Sequence, residues 1–502
     1  MTPARTPART PPRTAPRTPG GELPDRNDGG ATSWDLLVIG GGTAGIVAAK
    51  TAAGFGARVL LVERDRTGGD CLWTGCVPSK ALLAAAAAAA QARGAARFGV
   101  HAVDVRVDFG EVMAHVQAAI AAIEPDDSVA ALTAAGVHVQ RGCARFTGPN
   151  SVQIEGRPVR FGQAVIATGS APLLPPIPGL AQADPLTSET VWALQSMPGR
   201  LLVVGGGTVG CELGQGFARL GAQVTLVEAA PRLLAGEDPD AAELVTAALR
   251  RDGVAVHLGV QVVAVHPGEG ELDDGRRLGY DQLLVAVGRR PRSRDLNLQA
   301  AGVAVDERGY VRVDARLRTT NRRVWAAGDI TGHPQFTHTA GVHGSVAASN
   351  AILGVRRRAD LVQPRVTFTQ PEVAAIGVST DASHHHGDLH VRTMPHEHVD
   401  RAVTDGDTEG FTRLVLDRKS RIVGATIVGP RAGEALGELV LAIRRGLRAR
   451  DLAATTHAYP TYLYGTWDAA IAEVRNRLQR PASARLITTL GAARRRWIEL
   501  TS

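Results

Sequence analysis

Two stretches of the chain share one pattern of apolar and polar positions. Residues 36–65, LLVIGGGTAGIVAAKTAAGFGARVLLVERD, align without gaps to residues 201–230, LLVVGGGTVGCELGQGFARLGAQVTLVEAA, with fifteen of thirty positions identical at an offset of 165. Each reads as a continuous apolar strand, a G-x-G-x-x-G turn, a helix ending at Gly-Ala and a second apolar strand closing on a Glu. An Ala-rich helix is expected over 79–97 and a second helical stretch from Val107 to about Ala135. Short β segments follow at Val137–Phe146, Val152–Ile154 and Gln163–Ala167. Beyond the second repeat, LLVAVGRRP (283–291) and VWAAGDI (324–330) read as strands, and a helix is expected from about His338 to Leu353. From about Pro364 the texture changes. Alternating segments and a helix at Glu434–Arg448 predict an antiparallel α+β unit.

Each copy has the physics of a dinucleotide cradle. Gly40 and Gly205 permit the tight turn, Gly42 and Gly207 let the backbone approach a pyrophosphate, and Gly45 and Gly210 allow close helix–strand packing. The helix N-terminus then turns free N–H groups and its positive dipole end to the phosphate. Glu63 and Glu228, each 23 residues after the first Gly, stand where a carboxylate would accept from a ribose diol. Two dinucleotides are therefore expected. A carboxylate at Glu228 repels a 2′-phosphate, so NADH is favoured, although Arg232 four residues on softens that repulsion.

Composition narrows the class. The chain has 502 residues, 44% hydrophobic and 21% charged, an ordinary globular balance. Residues 1–20 hold Arg5, Arg9, Arg13 and Arg17 and no acid, which supplies +4 of the net charge of +7. The remainder is too dilute for a nucleic-acid partner. The T-P-x-R repeat of this tail has no apolar face to bury and is expected to be disordered, with order beginning near Trp34. The longest uninterrupted apolar run, Ala81–Ala90, is about half of what a bilayer-spanning helix needs, and no membrane association is expected. Four cysteines are too few for a secreted disulfide framework, so a reducing, cytoplasmic compartment is expected.

The cysteines also carry chemistry. Residues 68–80 read GGDCLWTGCVPSK, with Cys71 and Cys76 five apart and a helix beginning near Val77–Pro78. A helix N-terminus lowers a thiol pKa. A dithiol beside a dinucleotide fold points to thiol–disulfide exchange, with a buried structural pair as the alternative. Lys80 is one of three lysines among 56 basic residues, which fits a need for a compact ammonium; a solvated Lys80 is the alternative. Cys143 and Cys211 read as packed small residues. His384–His386, His390, His396 and His398 crowd one segment that reads as a solvated loop, and no metal site is assigned. The region from Arg475 to Arg496 has seven Arg and no acid, with Leu478, Leu486, Ile487 and Leu490 between them; it reads as a helix packed on the partner subunit or a solvated face, with an acidic membrane surface as the alternative.

GGDCLWTGCVPSK, the paired dinucleotide motifs, ATGS (167–170), VAVGRRP and VWAAGDI together resemble the pyridine nucleotide–disulfide oxidoreductase flavoproteins, the group of dihydrolipoyl dehydrogenase, glutathione reductase and mercuric reductase. The resemblance covers about residues 34–480. It implies an α/β fold with two Rossmann-like domains, for FAD and NAD(P), and a C-terminal α+β dimerisation domain. Residues 34–183 and 297–361 would form the FAD domain, 184–296 the NAD(P) domain and 362–480 the homodimer interface, with 1–33 and 481–502 as tails. Gly40, Gly42, Gly45, Glu63, Gly169 and Asp329 would hold FAD, and Gly205, Gly207, Gly210, Glu212, Glu228 and Gly288 the nicotinamide nucleotide. Cys71 resembles the interchange thiol, Cys76 the thiol against the flavin, and Lys80 the lysine beside it.

The resemblance breaks at HAYPTYLYGTW (457–467). Tyr459 stands where dihydrolipoyl dehydrogenase and glutathione reductase place a His, and Tyr464 where they place its Glu. A phenol is a poor base at pH 7. His457 lies two residues upstream and is the candidate replacement. No Cys follows Cys211, so the cysteine pair at the C-terminus of mercuric reductases is missing too. The implied activity is an FAD-dependent NAD(P)H oxidoreductase passing electrons through Cys71–Cys76 to a disulfide, a thiol-bound metal ion or a small oxidant. The alternatives are a dihydrolipoyl dehydrogenase-type enzyme and a low-turnover redox sensor.

Overall fold

The computed structural model describes residues 33–360, 362–380 and 388–501. The N-terminal Arg/Pro repeat and His384–His386 lie outside them. The chain opens with the first repeat: β1 (Ser33–Ile39), α1 (Thr43–Gly54) and β2 (Val59–Glu63). The dithiol segment then forms a short helix, α2 (Gly69–Trp73), and a long one, α3 (Cys76–Gly94). Helices α4 (Phe109–Asp127) and α5 (Val129–Ala134) replace the single stretch expected there. The break is Ser128, whose backbone is extended and whose hydroxyl accepts from the Ala131 N–H at 3.2 Å.

The expected strand 137–146 likewise divides, into β3 (Val137–Arg141) and β4 (Ala144–Gly148), followed by β5 (Ser151–Ile154), β6 (Arg157–Ile166) and β7 (Ser170–Pro172). Gly142, at φ +151°, separates β3 from β4, which lie at opposite edges of a sheet ordered β3-β2-β1-β6-β5-β4. Strands β1, β2, β3 and β6 are parallel, and β4 and β5 are added antiparallel.

The second repeat forms β8 (Arg200–Val204), α6 (Thr208–Leu220) and β9 (Gln223–Glu228), then α7 (Pro239–Arg251) and β10 (Ala255–Leu258). A small antiparallel sheet of β11 (Val262–His266), β12 (Glu269–Leu272) and β13 (Arg277–Gly279) precedes β14 (Gln282–Val285), which completes a parallel sheet ordered β10-β9-β8-β14. β15 (Arg289–Pro291) pairs with β7, and β16 (Val324–Ala326) adds parallel to β6, so the chain returns to its first sheet after building the second. α8 (Thr337–Leu353) packs on α1.

The last unit is an antiparallel sheet ordered β17-β18-β21-β20-β19 (Arg365–Thr367, Glu372–Gly377, Ile422–Gly429, Phe411–Asp417, Leu389–Pro395). With it go helices α9 (Asp400–Asp405), α10 (Ala432–Arg445), α11 (Ala449–Ala453) and α12 (Tyr464–Leu478). Residues 481–501, expected as a tail, form a 21-residue helix, α13 (Pro481–Thr501).

Among the described residues one stretch, Gly69–Phe98, is long and apolar enough to cross a bilayer by length and composition. Here α3 packs against α4 and α6 and carries Cys76 at its first turn, so its apolar face belongs to the protein core.

Candidate functional site

The two cysteines are free thiols held by different elements, Cys71 in α2 and Cys76 as the first residue of α3. The helix thus begins one residue earlier than expected and turns its free N–H groups and dipole onto Cys76 itself. The Thr337 hydroxyl, at the start of α8, lies 3.3 Å from Cys76 Sγ. The pair is asymmetric. The hydrogen bond between the two thiols, and then burial, push the Cys71 thiol well above its ordinary value. The same hydrogen bond, with help from Thr337 and the Lys80 charge, outweighs burial at Cys76 and lowers it to about 6. At neutral pH Cys76 is the thiolate and Cys71 the thiol that donates to it.

Lys80 sits one turn further along α3. Its ammonium donates to Glu212 Oε2 at 2.8 Å and lies 4.3 Å from the Phe368 ring centroid. Glu212, buried on α6 of the second repeat, also accepts from the Phe368 N–H at 2.8 Å. A carboxylate so enclosed as Glu212 needs both of these hydrogen-bond partners. Lys80 is thus paired with Glu212 while its side chain stays 36% exposed.

A cleft of about 1420 Å³ runs past these groups, lined by Gly40, Gly42, Glu63, both cysteines, Lys80, Gly169, Glu212 and Asp329. Its shape fits the FAD that the resemblance implies. Gly40, at φ +105°, has no room for a side chain, since a Cβ would meet the Ala167 carbonyl at 2.4 Å. Gly69, at φ +60°, closes on Gly42, and a Cβ on it would come within 2.6 Å of Gly42 Cα. The backbone is therefore bare where a pyrophosphate would lie. Gly45 packs so tightly that a Cβ would reach the Gly40 carbonyl at 1.8 Å. Asp329 closes the far wall. It accepts from the Ser170 hydroxyl at 2.6 Å, and burial raises its pKa.

Sequence reasoning missed the parts that join these walls. Arg289 donates from Nε to Ser170 Oγ at 2.6 Å, pairs with the Asp70 carboxylate and lies 3.8 Å from Asp329. This brings ATGS and VAVGRRP together through β7 and β15, with Gly169 (φ +69°) and Gly288 (φ +131°) at the turns. The signal was present as two motifs, but nothing local said that they pair. Glu63 and Glu228 also do something unforeseen. Each carboxylate accepts from an amide of its own glycine turn, Gly41 or Gly206, both at 2.6 Å, and from a second amide just beyond, Asp65 at 2.9 Å or Ala230 at 2.7 Å. A carboxylate has about four acceptor positions, so room for a ribose remains.

Other expected residues lie elsewhere. Gly205, Gly207, Gly210, Glu228 and Gly288 are outside the cleft lining. Tyr459 is 63% exposed on the last unit, its hydroxyl donating to Asp400 Oδ2 at 2.7 Å, with the Tyr464 ring 5.5 Å away. Within one chain it does not line the cleft. His457 is not a free replacement base: its side chain is buried, with Nε2 2.9 Å from Glu438 Oε1 and Nδ1 2.9 Å from the Thr455 carbonyl. Cys143 is exposed at the cleft rim rather than packed, whereas Cys211 is buried. His390 pairs with Glu473 and His396 with Thr412, and among the described residues no three His, Cys, Asp or Glu side chains gather as a metal site.

Comparison with known proteins agrees with this architecture. The family model "Pyridine nucleotide-disulphide oxidoreductase" matches residues 34–344, and the model of that family's dimerisation domain matches residues 363–469. A mercuric reductase of Streptomyces lividans is 38% identical over 446 residues, covering 86% of this chain and 94% of that protein. A dihydrolipoyl dehydrogenase of Thermus scotoductus is 37% identical, covering 87% and 97%. Among solved structures, the HOCl-induced flavoprotein disulfide reductase RclA from Escherichia coli superposes with a TM-score of 0.78 at 28% identity, covering 87% of this chain and 99% of RclA. A Cu(II) complex of RclA matches equally, covering 88% and 99%. The chain belongs to the pyridine nucleotide-disulphide oxidoreductase family and is an FAD-dependent NAD(P)H oxidoreductase with a dimerisation domain.

Proposed function

We propose that this enzyme, working as a cytoplasmic homodimer with NADH preferred, delivers electrons through Cys71–Cys76 to a soft metal ion held by thiolates. Small oxidants are secondary acceptors and disulfide substrates poor ones. Bound FAD supplies the link between two-electron hydride chemistry and the thiols. Gly40, Gly42, Gly45, Gly69, Glu63, Gly169 and Asp329 hold it, and Lys80 with Glu212 stands at the junction with the nucleotide side. Gly205, Gly207, Gly210, Gly288 and Glu228 receive the nicotinamide nucleotide. Cys76 is kept as thiolate, and Cys71 is the thiol presented to the acceptor.

The observation that carries this reading is an intact dithiol without a proton relay. Reduction of a disulfide acceptor releases a thiolate that must be protonated, and that task falls to the His position of the family, filled here by Tyr459. Hydrogen bonding to Asp400 raises the Tyr459 pKa, making it a still weaker acid. A metal ion bound by thiolates takes electrons without needing that proton. The Cu(II) complex of RclA is consistent with such an acceptor.

The test is steady-state NADH oxidation with Cu(II)–thiol and Hg(II)–thiol complexes, a quinone, lipoamide and glutathione disulfide. We expect kcat/KM for a metal–thiol complex to exceed that for lipoamide by at least about tenfold, as loss of general acid–base assistance implies. Lipoamide as the best acceptor would overturn the reading in favour of the dihydrolipoyl dehydrogenase alternative, which the Thermus relative supports. A single reduction with no turnover on any acceptor would assign the protein as a sensor.

A further inference from the structure

The helix that closes the chain is the least explained part of the molecule. α13 spans 21 residues, about 31 Å, and none of its residues is buried. Its large apolar side chains stand open: Leu486 and Leu490 are each 60% exposed, Trp497 53% and Leu500 86%. At 3.6 residues per turn, Leu486, Leu490 and Trp497 fall within about 40° of one another, with Ala493 about 20° beyond Leu486. The half-buried positions of the helix are all small, Ser483, Ala484, Gly491 and Ala492. Among the described residues α13 packs against the preceding helix, α12, and a Cβ on Gly491 would meet only Arg495 of α13 itself, so the apolar stripe stands clear of the body.

Charge says what can cover the stripe. Arg485 and Arg496 flank one edge and Arg494 the other, its guanidinium 4.0 Å from the Trp497 ring centroid. Among the described residues, Arg485, Arg494, Arg495 and Arg496 have no ion-pair partner within the chain. The only acid in the helix is Glu499. A second copy of the same stripe would bring arginines against arginines. The chain's own first twenty residues, with four Arg and no acid, repeat the charge instead of complementing it. An apolar stripe with Trp, bordered by cations and long enough to lie flat, matches an anionic lipid surface.

We propose that α13 docks this enzyme onto an anionic membrane surface, Leu486, Leu490 and Trp497 entering the acyl boundary while Arg485, Arg494 and Arg496 meet the headgroups. This takes up, for this one segment, the alternative that the sequence offered beside a solvated or partner-packed face, against the expectation that no membrane is involved. The docking rests on α13 alone and stands whichever acceptor the dithiol serves.

The experiment is co-flotation of the full-length holoenzyme with phosphatidylcholine vesicles, with and without 30 mol% phosphatidylglycerol (about a third anionic, enough for a strong surface potential). Binding is expected to the anionic vesicles only and to weaken with salt. Each arginine near such a surface strengthens binding about fivefold, so the triple variant Arg485→Gln, Arg494→Gln, Arg496→Gln should bind about 100-fold more weakly. Leu486→Glu with Leu490→Glu should abolish flotation, leaving Tm, dimer mass and turnover in solution unchanged. Failure of the wild type to float overturns the proposal. So does flotation that survives both leucine substitutions, which makes the contact purely ionic. A fall in Tm or a change in oligomeric mass in the leucine variant overturns it as well, by assigning the stripe to a protein interface.

Discussion

The two glycine turns have nearly the same backbone and different surroundings. Gly40 and Gly205 sit at φ +105° and +111°, and a Cβ on Gly45 or Gly210 would strike the preceding turn carbonyl at 1.8 or 1.9 Å. Glu63 and Glu228 accept from equivalent amides at the same 2.6 Å. Above the turn the copies diverge. Gly42 is roofed by Gly69 of the dithiol segment, whereas Gly207 has nothing within 4 Å of where a Cβ would stand. α1 packs on α8, while α6 packs on α3 and carries Glu212 at the position of Val47 in the first copy. The repeat encodes a cradle. What folds over it decides which ligand is enclosed and which comes and goes.

The comparison breaks most sharply at the dithiol, which only the first cradle has. Cys71→Ser and Cys76→Ser should each reduce acceptor turnover by about 10³-fold or more, since either loss leaves a single thiol that cannot cycle. Their spectra should differ with FAD retained. Cys71→Ser keeps the thiolate and its long-wavelength absorbance already in the oxidised protein, and Cys76→Ser loses that band on reduction. Identical spectra for both variants would refute the asymmetry of the pair.

The roof itself is tested next. Gly69→Ala combines a left-handed backbone with a Cβ 2.6 Å from Gly42 Cα. Strain and steric conflict of about 1–3 kcal/mol should weaken FAD binding by about 100-fold, read by flavin fluorescence during dilution. Gly207→Ala meets open space, so FAD should stay bound while the KM for NADH rises less than about tenfold. Equal FAD loss in both variants would mean that the cradles do not differ in enclosure.

The cradles were legible in the sequence because every requirement is local: apolar strand, three glycines and a Glu at fixed spacing. The dithiol and Lys80 were legible for the same reason. The Asp70–Arg289–Ser170 junction was not, since it joins residues up to 219 apart through the pairing of two three-residue strands. Nor was the fate of His457, because Glu438 reaches it from another helix. The break at Ser128 was readable in the sequence, because Glu124–Ser128, EPDDS, interrupts the apolar pattern just before an N-cap serine. The exposed stripe of α13 needed the structure, as periodicity alone does not say whether a face is covered.

A pH dependence sharpens the asymmetry of the dithiol. With Cys76 lowered to about 6, the thiolate and its absorbance should persist above that pH and fade as pH drops through it. Thr337→Val removes a hydroxyl that favours the charged form. A hydrogen bond to a charged group is worth about 1.5–3 kcal/mol, so the midpoint should move upward by about one unit or more. The thiolate fraction at pH 5 would then fall about tenfold. A midpoint near the ordinary thiol value in the wild type would show that neither the hydrogen bond from Cys71 nor the helix N-terminus acts on Cys76.

The smallest effect is expected where the chain departs from its relatives. Tyr459→His introduces a group with an ordinary pKa of about 6.5. The imidazole is shorter than the phenol and falls short of Asp400, so it stays unoriented. Oriented general acid–base assistance is worth about 10²–10⁴-fold, and we expect only a few-fold gain in lipoamide turnover. The Tyr464 ring lies 5.5 Å from Tyr459, so adding Tyr464→Glu supplies a carboxylate within reach, and the double variant should gain more than the single. Reduction of the enzyme by NADH should be unchanged in both, because neither residue lines the cleft of its own chain. A double variant with no gain on lipoamide or glutathione disulfide would mean that the acceptor pocket, not the missing proton relay, sets the preference. Slower reduction by NADH would mean that the HAYPTYLYGTW segment acts on the nucleotide side instead.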